Sequence, residues 1–296
     1  SDKVKDLRGF AIKIMGVKGE RFQTQDEEKE MRDEEKETRY QDKETLNQEK
    51  ETRYQDKETL GEEQETLSEE QETQGEEKET QDFILLSYPV MPLGTVKLFH
   101  DAVYYSIKWS PFVFISRLVL SGNFHIINEL RKARQNQTSP LDIRYWSTTP
   151  YMYGKDHIVK YSIIPTSHIK SSLPSILADD YLTANMEKHL AENEASFDFM
   201  IQLQKDPVKM PVEDAGVEWS EKESPFIKVA SIRIHPQPFR TKEREDFAED
   251  LSFSPAHSLI EHRPIGGINR ARVQIYRYLS EFRHRRNNRQ MMEPVR

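Results

Sequence analysis

The feature that most restricts this chain is a seven-residue repeat over residues 25–80. Eight units run from Gln25–Met31 to Gln74–Thr80, and seven of them close on Thr, each as Lys-Glu-Thr or Gln-Glu-Thr. Heptad spacing invites a coiled coil, which requires two apolar positions in every unit. Here the single intermittently apolar position carries Gln25, Arg32, Arg39, Leu46, Arg53, Leu60, Leu67 and Gln74, so no continuous seam exists. Gly61 and Gly75 weaken a helix further, by roughly 1 kcal/mol each relative to Ala. The segment holds 23 acidic and 9 basic residues in a chain of net charge −8, which leaves the other 240 residues at +6. That composition reads as a solvated insertion, disordered or frayed-helical, grown by tandem duplication of a short segment.

The flanks carry the fold. Leu7 to Val17 alternates through Phe10, Ile12 and Ile14 as a half-buried strand, and Phe83 to Val90 resumes strand character after the repeat. Val96 to Lys108 has mixed helix and loop character, whereas Asn123 to Arg134 shows helical spacing through Ile126, Ile127 and Leu130. His157 to Ile164 and Phe226 to His235 alternate as strands, the second stopped by Pro236 and Pro238. Tyr181 to Leu203 has the clearest helical period, although Phe197, Phe199, Ile201 and Leu203 also alternate. Phe247 to Arg296 turns helical and basic. Short strands followed by helices toward the C-terminus predict an α+β protein built on an antiparallel sheet or barrel.

Several chemistries are excluded. The chain has no cysteine, so disulfides, thiolate metal sites and cysteine nucleophiles are impossible. No run approaches 18 apolar residues and Ser1-Asp2-Lys3-Val4-Lys5 has no signal-peptide core, so the expectation is a soluble, cytoplasmic protein without a membrane partner. Because the chain opens on Ser and strand-like sequence follows within seven residues, an upstream segment is expected to have been removed.

One constellation remains: Phe253-Ser254-Pro255, then Gly266-Gly267, then Arg272 and Tyr276 inside a helix. Positions i and i+4 share a helix face, which sets a guanidinium beside a phenol oxygen. A cation there favours phenolate, a hard donor suited to ferric iron, and Tyr is the haem ligand of catalases. Taken alone, Arg-x-x-x-Tyr is a common surface pair.

Taken with four other segments, it resembles the haem catalase superfamily, specifically its smaller bacterial branch, which includes relatives of allene oxide synthase. Arg8-Gly9-Phe10-Ala11-Ile12-Lys13 is similar to that family's Arg-Gly-Phe-Ala-x-Lys strand, and Tyr88-Pro89-Val90 falls at its Pro-Val-Phe-Phe run. Pro211 to Trp219 with Pro225 to Phe239, and Phe253-Ser254-Pro255, resemble the segments ahead of the ligand helix. The resemblance implies a catalase-type antiparallel β-barrel, incomplete at the N-terminus. Residues 1–24 then hold the first remaining strand, 25–80 the insertion and 81–296 the rest of the haem domain. It further implies haem b, Tyr276 on the iron with Arg272 polarising it, Tyr278 as the nearby alternative ligand, and Arg283 or Arg285 at a propionate. Hydrogen peroxide or an organic hydroperoxide would be the substrate, and a homo-oligomer is possible.

The departures concern the opposite side of the haem. Gln274 and Tyr278 stand where the family has an aromatic and an Asp, and Leu86-Ser87-Tyr88 stands where a distal Asn is expected. The family's distal His lies upstream of the Arg-Gly-Phe-Ala strand, and the seven residues before Arg8 hold no His. His100, His125, His157 and His168 read as surface or satisfied core residues rather than a distal base. The alternative reading is therefore a truncated, inactive relative with no or residual haem binding. Residues 262–296 hold nine Arg against Glu281 and Glu293, yet no stacking-aromatic pattern accompanies them, which disfavours nucleic acid as a partner.

Overall fold

The computed structural model describes residues 1–24 and 79–294; the expected disordered insertion lies outside the described residues apart from its last two. Those two, Glu79 and Thr80, open a strand rather than close the repeat. Ser1–Arg21 and the chain from Glu79 onward make one compact unit.

Seven strands form one antiparallel sheet: β1 (Gly9–Val17), β2 (Glu79–Leu86), β3 (Tyr145–Trp146), β4 (Tyr151–Tyr153), β5 (His157–Pro165), β6 (Ala195–Leu203) and β7 (Ile227–Ile234). Their order is β1-β2-β3-β5-β6-β7, with β4 paired to β5 beside β3. The sheet curls into a half-barrel, and β1 and β7 are its two unpaired ends, so the barrel expected from the sequence is open. Residues of β1, β2, β3, β5 and β6 bury one aromatic face: Phe10 meets Tyr145 at 5.2 Å and Phe197 at 5.4 Å, and Phe83 meets Tyr161 at 5.0 Å and Phe199 at 4.9 Å. Tilted and edge-on ring pairs of this kind add about 0.5–1.5 kcal/mol each beyond the area they bury.

Six α-helices occur among the described residues: α1 (Val96–Lys108), α2 (Pro111–Leu120), α3 (Phe124–Ala133), α4 (Tyr181–Leu190), α5 (Lys242–Asp250) and α6 (Gly267–Arg286). Thr95, Ser110 and Thr241 cap α1, α2 and α5 by accepting backbone N–H groups, and Pro111 opens α2 where no hydrogen bond is lost. Val96–Lys108 is thus wholly helical. The helix expected over Tyr181–Leu203 ends at Leu190 instead. Beyond it, Ala195, Phe197 and Ile201 are buried only if the chain extends between β5 and β7, and that pairing overrides the helical period. No helix among the described residues is long and apolar enough to cross a membrane.

Candidate functional site

The helix that carries Tyr276, α6, is fixed at its start from three directions. Gly266 has φ +88°, a left-handed conformation, and a Cβ there would lie 2.5 Å from the Val212 carbonyl oxygen; only glycine fits. Glu213 accepts the Gly267 N–H at 2.8 Å and pairs with Arg270 at 3.2 Å, a carboxylate at the positive end of the helix. The chain leading into α6 runs beside β4, with Met152 N–H bonded to Arg263 O at 3.0 Å and Asn269 Nδ2 to Pro150 O at 2.8 Å.

One turn further on, Arg272 is buried under that junction. Its Nη1 donates to Thr149 Oγ1 at 2.9 Å and to Asn269 Oδ1 at 3.2 Å. Asn269, three residues earlier on the same helix, is fully buried. The Arg272 guanidinium carbon lies 5.4 Å from the centroid of the Tyr276 ring, within cation–π range. Burial opposes the charge on Arg272, but the phenols of Tyr151 and Tyr276 more than offset it and hold the guanidinium above its usual pKa. Arg272 is therefore a permanent buried cation, and half-buried Tyr276 sits on it.

The other candidates are placed differently. Tyr278 is 63% exposed, two residues round the helix from Tyr276, so the structure does not put it beside Arg272. Arg283 lies two turns beyond Tyr276 on nearly the same face, but it donates to Leu251 O at 2.5 Å and sits 3.8 Å from Glu249. Arg285 is exposed and lies about 180° around the helix from Tyr276 at ~100° per residue, so the two do not share a face. The structure brings together Arg272 and Tyr276 and adds Thr149, Tyr151 and Asn269, which sequence reasoning missed. Only Asn269, at helical spacing from Arg272, left a local signal.

The histidines are engaged or exposed. His257 Nδ1 bonds Asp82 at 2.9 Å, His284 bridges Ser280 O at 2.8 Å and Asp250 O at 3.0 Å, and His262 packs against Tyr153 with its pKa lowered by burial. His100, His125, His157 and His168 are all exposed. In the stretch where a distal Asn was expected, Ser87 exchanges hydrogen bonds with the Arg8 backbone at 2.8 and 2.9 Å. Tyr88 Oη donates to Glu129 at 2.5 Å, and burial raises the Tyr88 pKa. No cluster of three His, Asp or Glu suited to a metal ion occurs among the described residues.

A second buried polar group fastens the strands to the segment ahead of α6. Asp82 on β2 accepts the Ser254 N–H at 3.0 Å and lies 3.2 Å from Lys13 Nζ on β1; Lys13 in turn reaches Glu293 at 3.0 Å.

No protein-family model and no curated protein matches the chain. Solved structures do. A fungal catalase superposes with a TM-score of 0.54 at 16% identity, covering 69% of this chain and 45% of that one. Catalase A from Saccharomyces cerevisiae gives 0.55 at 15% identity, with 69% and 46% covered. A bacterial catalase gives 0.54 at 13%, with 73% and 47% covered. The fold is catalase-like. This chain spans about half the length of the catalases it matches.

Proposed function

We propose that this catalase-like chain binds haem b through Tyr276, with the Arg272 cation fixed beside the ligand ring. The observation that carries the reading is the buried Arg272 guanidinium, fixed by Thr149 and Asn269 and charged beside the Tyr276 ring. The donor set fits the proximal side of a haem: an oxygen ligand on a rigid helix, backed by a cation that cannot lose its proton. A bound haem would supply the redox chemistry of ferric iron toward hydrogen peroxide or an organic hydroperoxide. The chain's own part is to orient the phenol through the Gly266 turn and the Asn269–Pro150 bond, and to hold the Arg272 cation beside it. Arg283 can serve a propionate only by leaving Leu251 and Glu249, and exposed Arg285 does not share the Tyr276 face.

Efficient peroxide decomposition also needs a base facing the iron to take and return a proton. The histidines among the described residues are committed elsewhere or exposed, and without a base supplied from outside them the expected activity is slow and peroxidase-like. A second reading, an inactive relative that does not bind haem, is favoured by one observation: Arg272 is already satisfied by Thr149, Asn269 and Tyr151, a complete structural role in joining α6 to β4. Haem titration separates the two. Binding predicts a Soret band with high-spin, tyrosinate-type charge-transfer features; the structural reading predicts the spectrum of unbound haem, unchanged by Tyr276→Phe.

A further inference from the structure

A surface helix ordinarily carries one apolar stripe, and α2 does not obey that rule. Of its ten residues only Ser116 and Arg117 are polar. Phe114 and Leu118, one turn apart, face inward onto Leu98 and Ile126. The opposite face is apolar too, with Phe112 81%, Val119 42% and Leu120 87% exposed. Ser116 sits in the middle of that outer face, but its hydroxyl donates to Phe112 O at 2.8 Å and so offers no free donor to a partner. Ile107 and Trp109 extend the apolar surface from the end of α1, and Phe124 from the start of α3. A helix apolar all round belongs in a core or in lipid. Here half of it meets neither.

The charges around it are one-sided. Residues 96–134 hold six Lys and Arg against Asp101 and Glu129, within a chain of net charge −8. Both acids are engaged, Asp101 with His100, and Glu129 with Tyr88 and Lys132. Lys97, Lys108, Arg131 and Arg134 make no ion pair among the described residues. Arg131 and Arg134 rim a cleft of about 1030 Å³ floored by Phe114, Ile127 and Leu130, and Ile115 joins that cleft to the outer face of α2.

We propose that α1, α2 and α3 form a docking surface for an anionic lipid bilayer. On this reading α2 lies in the plane of the interface, its Phe112–Leu120 face at the boundary of headgroups and acyl chains, with the cations against lipid headgroups. At ten residues, α2 is ~15 Å long, so it lies on the bilayer rather than through it. A second copy of the chain is the lesser occupant. A twofold contact sets a patch against itself, which brings the unpaired cations onto their own copies, whereas anionic headgroups neutralise them.

The test is flotation of the full chain with vesicles of phosphatidylcholine alone or with about one-third phosphatidylglycerol, at low and high salt. Binding should be at least about tenfold stronger to the anionic vesicles and should weaken with salt. Phe112→Ser with Leu120→Ser alters only exposed side chains, so the fold should survive, and lipid binding should fall at least about tenfold. Trp109 emission should shift to the blue on binding, a change that Trp109→Phe abolishes while binding persists. The proposal is overturned if the chain does not float, or if the double variant floats as well as wild type. Self-association abolished by the same double variant, without flotation, would overturn it in favour of a second copy.

Discussion

Asp82→Ala strikes the most deeply buried charge in the described fold. Its side chain is fully buried and that of Lys13 is 4% exposed. Removing the carboxylate strands the Lys13 ammonium and the Ser254 N–H and takes away a hydrogen-bond partner of His257. Breaking one partner of a buried ion pair costs about 3–5 kcal/mol. Glu293, 39% exposed and 3.0 Å from Lys13 Nζ, retains part of the compensation, which argues for the lower part of that range. The orphaned Ser254 N–H adds about 1 kcal/mol, so the expected loss is about 4 kcal/mol in all. Urea unfolding followed by circular dichroism should show it as a lower midpoint at unchanged slope. Lys13→Met with Asp82→Leu removes both charges and should recover most of the loss, because an apolar pair of similar volume avoids the desolvation penalty. A loss below about 1 kcal/mol for Asp82→Ala, or a double variant no better than the single, would refute the reasoning.

Lys160 is buried over the Trp219 ring at 4.9 Å, and that burial pushes its pKa down from 10.5 to about 8. The folded value lies below the unfolded one, so between about pH 8 and 10.5 the unfolded chain binds more protons and stability rises with pH. Lys160→Met should remove that rise and gain up to about 3 kcal/mol at pH 7, read by urea unfolding of both proteins across the range. Gly94→Ala should fail to fold or lose more than about 2 kcal/mol by thermal melting, since a Cβ there would lie 2.0 Å from the Gly216 backbone nitrogen, a clash with main chain rather than with a flexible side chain. Phe197→Ala should cost about 3–4 kcal/mol by the same assay, because Phe197 is fully buried between Phe10 and the rest of the sheet core.

Strands β1, β5 and β7 were legible because their apolar residues recur every second position, and the α+β class followed from their order. The boundary between α4 and β6 was not, since residues 181–203 satisfy both periods and only the pairing with β5 and β7 decides between them. Nothing local in the sequence ties Lys13 to Asp82, which lies just ahead of the strand read from Phe83; it is the β1–β2 register, which sets them directly opposite, that makes them a buried pair. At the candidate site Arg272 and Tyr276 could be paired from helical spacing alone. Thr149 and Tyr151 could not, because they arrive from β4 and its approach, more than a hundred residues earlier, through contacts that no local pattern encodes. Arg283 illustrates the same limit: its position on the helix was readable, its commitment to Leu251 and Glu249 was not.

The central claim is that Tyr276, held over the Arg272 cation, is a haem-iron ligand, and the most direct measurement is a haem titration of the full chain beside Tyr276→Phe. The account predicts saturable one-to-one binding by wild type, with a Soret band and tyrosinate-type charge-transfer absorption that Tyr276→Phe loses while keeping its circular dichroism spectrum. Identical titrations and spectra for the two proteins would contradict it.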